Sequence, residues 1–181
     1  MTSQAKLEIR RSDATDAEDR ALVDRIVAIV NAAYFWSEAE QWTDEKERTS
    51  TPEITDLLKS RKLLLAFASE QLAGVVKIEK IDPKTAGFGM LATDPNGLQR
   101  GVGKALVGAA EAWALAEGFG EMEIEIVRAE NPNSHKQLLH DWYTRLNYIE
   151  IATFPIIERI PEIAPLQKQT CVSTVYRKLL S

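Results

Sequence analysis

The chain has one cysteine, Cys171, and two histidines, His135 and His140, among 181 residues, and each scarcity excludes something. A single thiol cannot close an intrachain disulfide. The histidines have no partners at metal-ligand spacing, so a metal centre is not expected, and both are read as exposed helix residues. No run of about eighteen apolar residues exists to span a membrane. The start, Met1-Thr2-Ser3-Gln4-Ala5-Lys6, shows no apolar targeting region. Basic charge is short as well: the formal net charge is −5, which removes the broad positive footprint that nucleic-acid binding requires. A reducing cytoplasm is the setting these absences suggest, with the nucleus left open. What is present is apolar mass. Hydrophobic residues make up 45% of the chain, enough for one domain over 1–181 with a sizeable core.

The periodicity predicts alternating strands and helices. Leu7 to Arg10 alternates as a strand, and Thr15 with Glu18 reads as a capping box before a helix carrying Leu22, Ile26, Ile29 and Val30. A second helix is expected after Thr51, with Pro52 at its first position. Leu63 to Phe67 and Leu72 to Lys80 read as a hairpin across Ser69-Glu70-Gln71, followed by a strand over Ala86–Thr93. A helix follows, with Val102, Leu106, Ala109 and Trp113 at helical spacing and Gly118 as its stop. Glu121–Val127 alternates as a strand. Ser134 with Gln137 suggests a further capping box, for a helix ending near Leu146 with Asn147 in the left-handed conformation. Ile149–Phe154 and Cys171–Lys178 are the last strands. Cys171, Trp113 and Trp142 are read as core.

The most informative stretch is Leu98-Gln99-Arg100-Gly101-Val102-Gly103-Lys104, where a strand ending at Leu91-Ala92-Thr93 turns through Asp94-Pro95-Asn96-Gly97 into a helix. The first N–H groups of a helix have no partner within it, and the helix dipole adds positive potential there, so phosphate oxygens bind well. Gly101 and Gly103 let phosphates reach the backbone, and Arg100 and Lys104 flank it with charge. A nucleotide-binding P-loop is excluded because Leu98 stands at its first glycine and Ala105 at its hydroxyl position. A dinucleotide fingerprint fails at Leu106, where it needs glycine.

Gln99 to Gly103, with Leu98 in place of the usual Gln or Arg, resembles the coenzyme A loop of the GNAT acyltransferase superfamily. Tyr143-Thr144-Arg145-Leu146-Asn147-Tyr148 resembles the end of the same family's last helix, with Asn147 in place of Gly. The resemblance implies a mixed, strongly bent central β-sheet flanked by α-helices, and acetyl-CoA as co-substrate with no metal. It implies that Leu91 and Thr93 turn backbone N–H groups to the pantetheine arm and the thioester, that residues 98–104 hold the pyrophosphate, and that Tyr143 protonates the departing thiolate. Asn133 or Asn131 matches an asparagine preceding that helix. It further implies an acceptor groove lined by the segment Tyr34–Arg48, where Tyr34, Trp36 and Glu38 are the candidate contacts.

Aromatics mixed with carboxylates in that segment suit a cationic amine. Pro155–Gln169, long and proline-rich, is read as a second boundary of the groove or as an edge covering. Glu79 and Glu125 are the nearest acidic residues to the central strands, and both are read as outward-facing, so the general base is unassigned. The expected activity is direct transfer of acetyl from acetyl-CoA to a primary amine of a small molecule, with homodimerisation left open and neither nucleic acid nor membrane as partner. A protein lysine or N-terminal acetyltransferase, and a non-catalytic acyl-CoA-binding module, are the competing readings.

Overall fold

A computed structural model describes residues 6–43, 47–97, 101–131 and 134–181. Seven strands form one sheet: β1 (Leu7–Arg11), β2 (Leu63–Ala68), β3 (Gln71–Lys80), β4 (Thr85–Thr93), β5 (Glu121–Ala129), β6 (Ile149–Pro155) and β7 (Cys171–Leu179), ordered β1-β2-β3-β4-β5-β7-β6. All neighbours pair antiparallel except β4 and β5, which run parallel. The mixed sheet expected from the sequence is therefore present. Among the described residues four α-helices flank it: α1 (Arg20–Glu38), α2 (Thr51–Lys59), α3 (Val102–Ala116) and α4 (Ser134–Arg145).

Alternation along the strands divides the apolar side chains between two faces. On one face, α3 and α4 pack over Val76, Ile78, Phe88, Met122 and Ile124, and Trp113 and Trp142 rest against this cluster. On the other, Ile26, Ile29 and Val30 of α1 and Ile54 and Leu58 of α2 pack over Leu63, Leu65, Val75 and Met90. Among the described residues no helix is long and apolar enough to cross a membrane.

The helix stops are those the sequence marks: Gly118 sits at φ 88° and Asn147 at φ 68°. Ser69 and Glu70, at φ 49° and 66°, form the hairpin turn between β2 and β3. The first capping box is elsewhere than Thr15/Glu18. Asp13 and Asp16 cap a 3₁₀ turn over Ala14–Glu18, and Asp19 then caps α1 by accepting the Leu22 N–H at 3.1 Å. Two helical segments in succession leave Thr15 inside the first, where its hydroxyl bonds Asp13 instead. In α4 the Gln137 amide donates to Asp141 at 3.1 Å, and the side chain of Ser134 lies outside the described residues.

Two irregularities of β4 create the site. Its pairing with β5 ends at Phe88–Ile124, although β4 continues to Thr93 and β5 to Ala129, so the strands part. Met90 takes φ 51°, and β4 carries one extra residue against β3, with Lys77 opposite Gly89 but Val75 opposite Ala92. A bulge of this kind raises local twist and bends the strand, which turns β4 away from β5.

Candidate active site

The parted strands open a cavity of about 710 Å³, bordered by β4 from Gly87 to Thr93, by β5 from Glu123 to Val127, by α1 and by α4. Such a volume falls within the range of about 300–1,000 Å³ usual for small-molecule sites. Among the described residues the backbone of β4 past Phe88 forms no ladder pairs with β5. The Asp94 N–H donates to the Ala73 carbonyl at 2.9 Å, toward β3. Strand alternation then aims the backbone groups of Thr93, and of Leu91 two residues earlier, into the gap.

A second cavity of about 170 Å³ lies at the start of α3, bordered by Thr93, Asp94, Gly97, Gly101, Val102 and Gly103. Asp19 and Ser50 supply side-chain caps to α1 and α2, whereas α3 begins at Gly101 with φ 81° and no side-chain cap. Among the described residues no side chain caps its first N–H groups, which leaves them to an acceptor from outside the helix. A Cβ on Gly101 would meet nothing within 4 Å, so it is the positive φ, and not crowding by the protein, that favours glycine there. Gly103 borders both cavities, and Lys104 is exposed beside them. Leu98, Gln99, Arg100 and Asn133 lie outside the described residues.

Tyr143 stands on α4 with its ring in the core, 4.7 Å from Trp142, 5.8 Å from Tyr148 and 6.1 Å from Phe88 between centroids, while it also borders the larger cavity. Burial pushes its pKa well above the usual phenol value, with Tyr34 adding to the rise. It keeps its proton at neutral pH.

Of the three candidates on α1, Tyr34 and Glu38 border the cavity. Trp36 lies outside it: the side chain is 77% exposed and meets Phe35 edge-on at 5.9 Å, because two residues along a helix turn it about 200° from Tyr34. Glu38 departs from the expected free carboxylate. It is 7% exposed, pairs with Lys136 of α4 at 3.0 Å and accepts the Trp42 indole N–H at 2.6 Å. A carboxylate so engaged offers no open charge to a cationic substrate. Asp44 and Glu45 of the acidic segment lie outside the described residues.

Pro155–Gln169 forms a wall of the site. Ile156, Ile160 and Ile163 border the cavity, and the segment is tied to the chain beyond α1: the Thr43 N–H donates to the Leu166 carbonyl, and the Lys168 N–H to the Gln41 carbonyl, each at 2.9 Å. The Lys168 ammonium reaches the Ala39 carbonyl at 3.1 Å and the Gln169 amide the Glu40 carbonyl at 2.9 Å. Trp42, Ile156 and buried Cys171 pack together beneath this clasp.

Glu79 and Glu125, expected to face outward, both border the cavity, as does Glu123. The helices α1 and α2 cover only part of their sheet face, so a carboxylate on that face meets the cavity rather than bulk solvent. Lys77 holds Glu79 at 3.0 Å, Arg177 holds Glu123 at 2.8 Å, and Arg159 holds Glu125 at 3.1 Å with the Ser173 hydroxyl donating to the same carboxylate. Sequence reasoning missed Arg48, Lys136 and Glu123. The alternation of Glu121, Glu123 and Glu125 was the one signal for the last of these. His135 is exposed and borders the cavity, and His140 Nδ1 lies 2.8 Å from the Tyr176 hydroxyl. Among the described residues no group of three or more His, Cys, Asp or Glu is placed to hold a metal ion.

Comparison with known proteins gives this geometry a family. The sequence profile of the Acetyltransferase (GNAT) family matches residues 23–147. No curated protein matches the chain by sequence. Solved structures share the fold at low identity. The N-acetyltransferase of Staphylococcus aureus Mu50 is 14% identical with a TM-score of 0.68, covering 98% of this chain and 100% of its own. The PaiA N-acetyltransferase of Thermoplasma acidophilum, solved in complex with coenzyme A, is 17% identical with a TM-score of 0.67, covering 96% and 99%. YncA of Salmonella typhimurium, a putative acetyltransferase solved with its cofactor acetyl-CoA, is 16% identical with a TM-score of 0.67, covering 97% and 94%. The family profile spans well over half the chain, from the first turn of α1 through the left-handed Asn147, and the chain belongs to the GNAT acetyltransferase family.

Proposed function

We propose that this chain moves an acetyl group from acetyl-CoA directly to the primary amine of a small molecule. The observation that carries the reading is the continuity of the site: an uncapped helix start with open glycines, then an unpaired strand edge, then a cavity closed off by the clasp of 155–169 on the end of α1. A pyrophosphate fits the N–H groups at Val102 and Gly103, and an extended amide-bearing arm fits the free edge of β4 at Leu91 and Thr93. The clasp favours a small acceptor over a folded protein, because backbone hydrogen bonds bridge the walls that a polypeptide would have to part.

Acetyl-CoA supplies a thioester whose carbonyl carbon accepts the amine. Glu125, on β5 just beyond the last β4–β5 pair, removes a proton from the incoming ammonium and passes it to solvent. One free N–H of β4, that of Leu91 or of Thr93, faces the negative charge that grows on the carbonyl oxygen as the C–N bond forms. The C–S bond then breaks with its electron pair on sulfur. Tyr143 donates its proton there and recovers one released by the new amide nitrogen, so one proton is released per transfer.

Thiol release on a panel of small amines tests this. Acceptor-dependent release of free coenzyme A is expected. Tight coenzyme A binding with no acceptor-dependent release from any amine would favour the non-catalytic module instead.

A further inference from the structure

The charges around the larger cavity do not cancel. Each bordering carboxylate has a cationic partner: Glu38 with Lys136, Glu79 with Lys77, Glu123 with Arg177 and Glu125 with Arg159. Lys77 and Lys136 are thereby engaged. Partial desolvation of the His135 ring, with Lys136 next to it and Glu38 opposing, lowers its pKa and favours the neutral form. Arg48 is left over. Among the described residues its guanidinium meets no carboxylate and lies over the ring of Tyr34, 5.0 Å from the centroid.

Its position is fixed from behind. The Asn31 side-chain oxygen on α1 accepts the N–H groups of Arg48 and Thr49 at 3.0 and 2.9 Å, and the Asn31 amide donates to the Thr49 carbonyl at 3.1 Å. The backbone carrying Arg48 is thus held rigidly to α1. A partly buried guanidinium keeps a desolvation cost until an anion meets it, and its planar fork of donors matches a carboxylate in two-point contact. Glu38 stands on α1, and the other three carboxylates lie on the sheet, Glu79 and Glu123 on either side of Gly87 of β4 and Glu125 just beyond the last β4–β5 pair. The sheet carboxylates are each offset by a cation, whereas Arg48 has none to offset it, so the site presents an anion-receiving group beside hydrogen-bond acceptors.

We propose that Arg48 determines acceptor specificity by receiving a carboxylate, so that the acceptor is an amino acid or a similar zwitterion whose amine lies toward the sheet carboxylates. This rests on the acetyl-transfer reading above and adds the acceptor's second functional group.

The test uses matched trios across the common amino acids: the free acid, its carboxamide and its decarboxylated amine. For the preferred side chain, the wild type is expected to favour the acid by about 10- to 100-fold in kcat/KM, the scale of one charge-assisted hydrogen bond. Arg48→Gln should bring the trio to within about threefold, and Arg48→Lys, which keeps the charge but loses the fork, should fall between, both variants being verified as folded by thermal unfolding. Equal or better turnover of carboxamides and amines by the wild type overturns the proposal, as does an equal loss on all three in Arg48→Gln. If no member is acetylated, the acetyl-transfer reading has failed, and calorimetry on the coenzyme A-saturated protein still decides this one. Binding of an acid that Arg48→Gln abolishes supports it, whereas binding indifferent to Arg48, or no binding of any acid, refutes it.

Discussion

Gly103→Ala separates the ligand's needs from the protein's at a single atom. Gly103 is the second residue of α3, and its φ is not positive, so alanine suits the backbone. The added Cβ would lie 3.9 Å from Thr93 Cγ2 and 4.0 Å from Trp142 Cη2, both ordinary contacts. Alanine exceeds glycine in a helix interior by about 1 kcal/mol, and by about 0.5 kcal/mol in the first turn. For a chain of this size Tm should rise by about 1–2 °C. The ligand sees the opposite. Gly103 borders both cavities, so the methyl group stands where a phosphate would approach the helix N–H groups. Forfeiting one hydrogen bond to a charged group, about 1.5–3 kcal/mol, weakens coenzyme A binding by about 10- to 100-fold. Differential scanning calorimetry without ligand and titration calorimetry with coenzyme A read the two effects separately. A variant that is slightly stabilised yet binds coenzyme A as the wild type does would refute the placement of the phosphates at α3.

Three further substitutions test other parts of the site. Tyr143→Phe keeps the ring packed against Trp142 and Tyr148 and removes only the hydroxyl, so single-turnover rates should fall by about 10²-fold with coenzyme A affinity little changed; an undiminished rate excludes Tyr143 as the acid. Glu125→Gln should cost about 10²-fold in kcat at neutral pH and regain activity as pH rises and the amine deprotonates unaided, whereas a uniform loss at every pH would point to misplacement of Arg159 and Ser173. Glu38→Gln removes the carboxylate beside the buried Lys136 ammonium and should destabilise by about 3 kcal/mol, lowering Tm by about 6–12 °C; adding Lys136→Met should recover most of that, and a double variant no better than the single would exclude the pair as the cause.

The elements that could be read from the sequence are those fixed by local chemistry. Period-two alternation located β4, β5 and β7 to within a residue or two, and Gly118 and Asn147 marked helix ends because left-handed backbone is tolerated by few residue types. The Thr15/Glu18 box failed because four acceptor side chains, Asp13, Thr15, Asp16 and Asp19, fall within seven residues, and the backbone decides between them only once the 3₁₀ turn has formed. Nor does any local signal mark the parting of β4 from β5. It depends on Met90 holding φ 51° in a strand whose composition, Phe-Gly-Met-Leu, is that of an ordinary buried one. The glycine loop was legible for the opposite reason: a phosphate site made of backbone needs an absence of side chains, and absence shows directly in sequence.

Charge was the property read least well, and the cause is general. Sequence counts carboxylates but cannot pair them. The acidic stretch after α1 reads as a cation site because Glu38 and Glu40 sit beside aromatics, yet the ammonium that engages Glu38 comes from Lys136, 98 residues away on another helix. Glu125 finds Arg159 from the clasp 34 residues later, and Glu123 finds Arg177 from β7 54 residues later. Each such pairing offsets a carboxylate's charge while leaving its remaining lone pairs open to a substrate, and for Glu38, Glu123 and Glu125 the partner is far off in sequence. What a ligand meets depends on which charges the fold has already paired, and among the described residues bordering this cavity the cation with no carboxylate partner is Arg48. A net charge of −5 and an open cation in the site are therefore compatible, since the first is a sum over the chain and the second a local residue of pairing.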